Sequence, residues 1–162
     1  MDASNLTKLQ AAVQAAPRVD ALYLESPANP TLRLTDIAAA AAMVKAKNPN
    51  CLVMVDNTLL GPVFQHPFLH NADIVLYSAT KFISGHSDLI AGIVLSVKEE
   101  HIVQINGYRT ILGPVISPDT SWMLTRSLET VWMRMERQAQ KAQKVAAALA
   151  NHARVTRVLF LP

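Results

Sequence analysis

The sequence predicts an α/β fold with a mostly parallel sheet flanked by helices, and three observations carry that prediction. Short runs rich in Val, Ile and Leu, "VDALYLE" (19–25), "CLVMVD" (51–56) and "ADIVLYS" (72–78), with "AGIVLSV" (91–97) as a fourth, show little alternation, as expected of strands covered on both faces. Helical patterns separate the first three. Polar residues follow each of them at once, at the end of the strand where open α/β sheets hold ligands.

Taken in order, "SNLTKLQAAVQAA" reads as a helix with a serine at its cap that ends before Pro17. The first strand closes in "ESPANPT". The pattern "LTDIAAAAAMVKAK" predicts a helix starting near Thr35 or Asp36 and ending before "NPN". The second strand closes in "VDNT" and the third in "YSATK". After the fourth, "SVKEEHIVQINGYRTILGPVISP" contains Gly107, Gly113 and Pro114 and reads as mixed, irregular structure. A long helical pattern then runs from about Asp119 to His152, with Leu124, Leu128, Val131, Met135, Ala139, Ala142, Ala146 and Leu149 forming one apolar stripe. The closing "VTRVLFLP" reads as a strand beginning.

Composition bounds the function classes. With 162 residues the chain can build one domain with a real core. At 51% hydrophobic and 17% charged residues it is too apolar for disorder, and its apolar runs are too short for a membrane helix. The opening "MDASNLTKLQ" lacks the basic and then apolar pattern of a signal peptide. A net charge of +3, with the C-terminal Lys and Arg residues spread at helical spacing, reads as a solvated helix face and not as a nucleic-acid stripe. The single Cys51 cannot form an internal disulfide and fits a reducing, cytoplasmic setting.

The strand ends are expected to bring Glu25, Asn29, Asp56, Asn57, Ser78, Thr80 and Lys81 to one rim. An acid, two hydroxyls and a lysine at a partly dry site suit pyridoxal 5'-phosphate, which needs an amine for its imine, an anion beside its pyridine nitrogen and donors for its phosphate. Lys81 can supply the amine, Asp56 the anion, and Ser78 and Thr80 the donors. Taken singly, a lysine after a strand is ordinarily a solvated edge residue and an aspartate there a turn residue. Other patterns read as structural. His66 and His70 have metal-like spacing, but Pro67 opposes a helix between them and no third ligand is in view, so no metal site is expected. Trp122 and Trp132 read as packing residues, and Cys51 as a buried one.

The motifs "LYLESPANPTLRLTDI", "VMVDNTLLGPVFQHPFLHNADIVLYSATKFISGHSDLIAGIVL" and "MLTRSLETVWMRMERQAQKAQKVAAALANHARVTRVLFLP" cover nearly the whole chain in order. In them the chain resembles the Cys/Met metabolism family of pyridoxal-phosphate enzymes, which holds cystathionine lyases and synthases, methionine γ-lyase and homoserine sulfhydrylases. The resemblance implies the large domain of the fold-type-I, aspartate-aminotransferase-like transferases. It matches Lys81 to the Schiff-base lysine, Asp56 to the pyridine-nitrogen partner, Ser78 and Thr80 to the phosphate hydroxyls, and Asn29 to an asparagine near the ring and substrate. Glu25 would support the rim, and Gly85 and Gly92 would permit turns and close packing.

By the same resemblance, residues 1–118 correspond to the central part of the large domain, 119–152 to a helical segment leading towards the C-terminal domain, and 153–162 to that domain's start. The aromatic residue that stacks on the cofactor, the glycine-containing phosphate loop and the substrate-carboxylate arginine of the family have no counterpart in these motifs. "RSLETV" stands where members commonly have Arg-Gly-Leu-Lys-Thr-Leu. The implied activity is a carbon–sulfur lyase acting on sulfur-containing amino acids by β- or γ-elimination. The alternatives are γ-replacement and a non-catalytic α/β assembly module. The implied assembly is a homo-oligomer, a dimer of dimers, or complementing segments of one enzyme, with no nucleic-acid or membrane partner.

Overall fold

The computed structural model describes residues 2–161. Four strands form one sheet in the order β1 (Ala21–Glu25), β2 (Leu52–Asp56), β3 (Ile74–Ser78), β4 (Gly92–Ser96). The first three are parallel and β4 is antiparallel to β3, so the sheet is mixed. Helices α1 (Leu6–Ala15) and α2 (Ile37–Lys47) pack together on one face. They bury Leu9, Val13, Ala40, Ala41 and Val44 against Leu22, Leu24, Val53, Val55, Val75 and Tyr77. Cys51, only 2% exposed, closes the edge of this core.

Local chemistry sets the helix ends. Asn5, not Ser4, caps α1, its side-chain oxygen accepting from Lys8 N at 3.1 Å. Ser4 is engaged instead by its hydroxyl bond to Asp2. Asp36 caps α2 as expected, accepting from Ala39 N at 2.9 Å. Between β2 and β3 lie the short helix α3 (Gly61–Phe64) and a 3-10 turn over Pro67–His70.

Several expectations are corrected. The apolar runs predict strands covered on both faces, but β1 alternates: Leu22 and Leu24 are buried while Ala21, Tyr23 and Glu25 are exposed. One sheet face carries the helices, and the other presents Tyr23, Met54, Leu76 and Val94. The segment read as irregular holds a regular helix, α4 (Glu99–Leu112), which tolerates Gly107 and ends at Gly113 in the left-handed conformation. Glu99 and Glu100 in its first turn favour that start.

The single long helix is two, α5 (Pro118–Leu128) and α6 (Val131–Ala150). The chain breaks at Glu129–Thr130 because the Ser127 carbonyl accepts from Thr130 N (3.3 Å) and Arg134 Nη2 (2.9 Å), and so takes no part in a continuing helical ladder. No strand forms over residues 155–161; Pro162, the last residue of that expected strand, lies outside the described residues. Trp122 and Trp132 are 62% and 55% exposed, so they are not core residues; the Arg126 guanidinium lies 5.0 Å from the Trp122 ring centroid. Gly92 is not forced by packing, since a Cβ there would meet only ordinary contact. Among the described residues no helix is long and apolar enough to cross a membrane.

Candidate active site

Because β1, β2 and β3 run parallel, their carboxyl ends meet at one rim. Glu25 pairs with Asp56 in register, Asp56 with Leu76, and Ser78 lies two residues beyond. An open cleft of about 850 Å³ there is lined by Glu25, Asn29, Asp56, Ser78, Thr80 and Lys81, which are the five site residues expected from sequence together with Glu25. Asn57 does not join them. Its side chain turns away from the cleft and is fully buried.

Asp56 is held from two sides. One carboxylate oxygen accepts from Thr58 N at 3.0 Å, and the other from the Tyr23 hydroxyl at 3.3 Å. The Tyr23 phenol is pushed up from its ordinary pKa, first by burial and then by the Asp56 carboxylate facing it. Thr58 also accepts from Ser78 N at 2.8 Å through its hydroxyl, tying the second strand's turn to the end of the third strand.

The two hydroxyls expected to face a phosphate differ. Thr80 Oγ1 accepts from Ala91 N at 2.9 Å and donates to Ala91 O at 3.2 Å, so it is engaged across the neck of the loop 81–90. Ser78 is half-buried in the cleft, and its hydroxyl has no such partner among the described residues. Lys81 is exposed, and among the described residues no ion pair engages it.

A buried polar layer underlies this rim. Asn57 Nδ2 lies 2.9 Å from Gly61 O, 2.8 Å from Gln65 O and 3.1 Å from Tyr77 Oη, and Asn57 Oδ1 accepts from Gln65 Nε2 at 2.7 Å. Gln65 Nε2 also donates to Ser26 O at 2.7 Å, and Ser26 Oγ accepts from Thr35 N at 3.0 Å. The Asn29 loop is thereby closed at its base and fixed to the turn that follows Asp56.

The loop after Lys81 is fastened from α6. Arg134 donates from Nη1 to Phe82 O at 2.8 Å, from Nη2 to Ile83 O at 3.0 Å and to Ser127 O at 2.9 Å, and from Nε to Thr130 Oγ1 at 3.0 Å. Burial lowers its guanidinium below the ordinary value. Gly85 has φ +72°, and a Cβ there would fall on Arg134 Nη1.

Sequence reasoning misses Tyr23, Thr58 and Arg134. Tyr23 carries a usable signal: two residues before Glu25 on a strand parallel to that of Asp56, it must share the face of Asp56. Arg134 carries none for its place at the loop, since the loop carbonyls it engages lie 51 and 52 residues away across the fold.

Comparisons with known proteins agree with this geometry. The family described as "Cys/Met metabolism PLP-dependent enzyme" matches residues 1–162. The chain is 38% identical to cystathionine gamma-lyase of Bacillus subtilis over 162 residues, covering 100% of this chain and 41% of that protein. The structure of cystathionine gamma-lyase from Lactobacillus plantarum, complexed with L-serine, superposes with a TM-score of 0.92 at 35% identity, covering 98% of this chain and 41% of that one. Cystathionine gamma synthase from Xanthomonas oryzae, in complex with cystathionine, gives 0.90 at 34% identity, over 98% of this chain and 40% of that one. The chain thus spans about two fifths of the length of these relatives. It belongs to the Cys/Met metabolism family of enzymes, whose cofactor is pyridoxal 5'-phosphate.

Proposed function

We propose that this chain forms the cofactor-bearing part of a carbon–sulfur lyase that acts on sulfur-containing amino acids by β- or γ-elimination. The observation that carries this reading is one cleft holding an exposed Lys81 amine, a doubly held Asp56 carboxylate and an unengaged Ser78 hydroxyl at the ends of adjacent strands. That donor set fits pyridoxal 5'-phosphate. Lys81 would hold its carbonyl carbon, Asp56 its protonated ring nitrogen, and Ser78 with Thr80 its phosphate, while Asn29 borders the space beside the ring. Bound there, the cofactor supplies an electron sink for the carbanion formed at an amino acid's Cα.

The chain's own residues do the rest. Once an incoming amine has displaced it, Lys81 Nζ can take the Cα proton and return it to the product. Thr58 N and the Tyr23 hydroxyl fix both oxygens of Asp56, so the carboxylate is held in place at the cleft wall. Ser78 donates towards an anion without leaving another partner. Thr80 can do so only by giving up Ala91 O.

The same proposal assigns residues 1–118 to the central part of the large domain, 119–152 to the helices leading towards a C-terminal domain, and 153–162 to that domain's start. It includes assembly as a dimer of dimers and a cytoplasmic setting, which the buried Cys51 thiol suits. The likeness to a gamma synthase supports a second reading, γ-replacement at the same cleft.

Borohydride reduction of the purified protein with pyridoxal 5'-phosphate, followed by peptide mapping, tests the site. We expect the pyridoxyl group on Lys81 and its loss in Lys81→Ala. Release of keto acid and ammonia from L-cystathionine or L-methionine supports the lyase, and formation of a new thioether with an added thiol supports γ-replacement. Labelling spread evenly over the surface lysines refutes the assignment.

A further inference from the structure

Helix α6 touches the site at two points. Met135, 3% exposed, packs on Gly61 at the start of α3, the helix that follows the Asp56 turn. One residue earlier, Arg134 spreads its guanidinium over the loop that follows Lys81, and one turn later Gln138 lines the cleft. The side chain thus bridges the α5–α6 junction, through Ser127 O and Thr130 Oγ1, to the carbonyls of Phe82 and Ile83.

What those carbonyls hold is the lysine's own backbone. Gly85 N donates to Lys81 O at 2.7 Å, Ser84 N to Ala79 O at 2.9 Å, and Lys81 N to Ser78 O at 3.1 Å. Residues 79–85 are therefore a tight turn whose outward carbonyls at 82 and 83 would be left to water without Arg134. No carboxylate pairs with Arg134 among the described residues, so its guanidinium is directed at three carbonyl oxygens and the Thr130 hydroxyl. The planar fork is what allows two successive carbonyls to be engaged, and an ammonium cannot reproduce it. Gly85 completes the arrangement, because a side chain at that position would occupy the place of the guanidinium.

We infer that Arg134, seated over Gly85, is a positioning residue that fixes where the Lys81 amine enters the cleft, and that it does so through the carbonyls of Phe82 and Ile83. The inference rests on the assignment of Lys81 as the cofactor-bearing amine. It also makes a claim about the loop alone, which can be read with no cofactor present.

The test compares the wild-type protein with Arg134→Met, Arg134→Lys and Gly85→Ala in two measurements. Without cofactor, hydrogen exchange at the amides of Ser84 and Gly85 should speed up at least about tenfold in Arg134→Met and Gly85→Ala, the factor that corresponds to about 1.4 kcal/mol. Peptides from β1, β2 and β3 should keep their wild-type protection. With pyridoxal 5'-phosphate and borohydride, the preference for Lys81 over the exposed Lys141 and Lys144 should fall by a similar factor, and Arg134→Lys should recover only part of it.

Unchanged exchange in the loop would overturn the inference. So would faster exchange with an undiminished preference for Lys81, since the clasp would then be structural only. If Arg134→Met does not fold, Arg134→Lys and Gly85→Ala decide the same comparison. If the wild-type protein shows no preference for Lys81 at all, the cofactor assignment fails, and the exchange measurement still decides whether Arg134 holds the loop.

Discussion

Replacing Asn57 separates two accounts of what holds the rim in place. Its Nδ2 lies within bonding distance of Gly61 O, Gln65 O and Tyr77 Oη, and the contacts to Gly61 and Tyr77 are fully buried. Asn57→Ala strands both of these partners. Each buried group left unsatisfied costs about 1–3 kcal/mol, and the Tyr77 hydroxyl can turn elsewhere, so we expect a total loss of about 3 kcal/mol. In urea, with a denaturant slope of about 2 kcal/mol/M, the midpoint should fall by about 1.5 M.

Asn57→Asp keeps the volume and removes both N–H donors. If the donors matter, this variant at neutral pH should be no more stable than Asn57→Ala, because its carboxylate would face the carbonyls of Gly61 and Gln65. Burial and those carbonyls would raise the new group's pKa in the folded protein above its unfolded value of about 3.9. The folded state then binds the proton more tightly, so the deficit should be smallest in acid and grow as pH rises through the raised value. Should Asn57→Asp unfold at the wild-type midpoint at neutral pH while Asn57→Ala does not, packing volume and not hydrogen bonding holds the rim, and the reasoning fails.

Two further outcomes follow from the same geometry. Asp56→Asn should lower the Tyr23 pKa only part of the way towards about 10, because burial remains when the charge is gone; a tyrosinate absorbance titration referenced to Tyr23→Phe checks this, and an unmoved Tyr23 refutes the pairing. Since the folded value is raised, Tyr23 contributes stability that is whole below its unfolded pKa and is lost as pH climbs through the folded one. Ser78→Ala should weaken binding of pyridoxal 5'-phosphate about tenfold without weakening pyridoxal, the loss expected for one charge-assisted hydrogen bond, and should leave thermal stability alone. Thr80→Val should in addition cost about 1 kcal/mol of stability, because Ala91 N loses its acceptor; equal stability in the two variants counts against the distinction.

The strands and the rim were legible because both follow from local pattern. Apolar runs of strand length ending in polar residues place Asp56, Ser78 and Lys81 together once the strands are parallel, whatever the helices do. What was illegible depends on partners far along the chain or on competition between local rules. Gly107 reads as a breaker, yet one interior glycine costs a helix only about 1 kcal/mol, which the rest of the fourteen-residue α4 outweighs. The break between α5 and α6 hides inside an unbroken apolar stripe, since its cause is the diversion of one carbonyl, that of Ser127. The inward turn of Asn57 was missed for a related reason. Strand alternation puts Asp56 and its successor on opposite sides, but a polar residue is expected inside only once its partners Gly61, Gln65 and Tyr77 are known.

The two-way bond between Thr80 and Ala91 has a consequence for motion. It ties the neck of a ten-residue loop whose near side Arg134 holds, which makes residues 81–90 a closed Ω-like unit and not a hinged flap. In the role proposed for it, a lysine rooted in such a unit would not rely on backbone rearrangement to leave a carbon and return to it. Its travel is confined to rotations about its own four-carbon stem, which in an exposed side chain take picoseconds to nanoseconds. In that proposed role, the amine would then need no opening of this loop to move within the cleft.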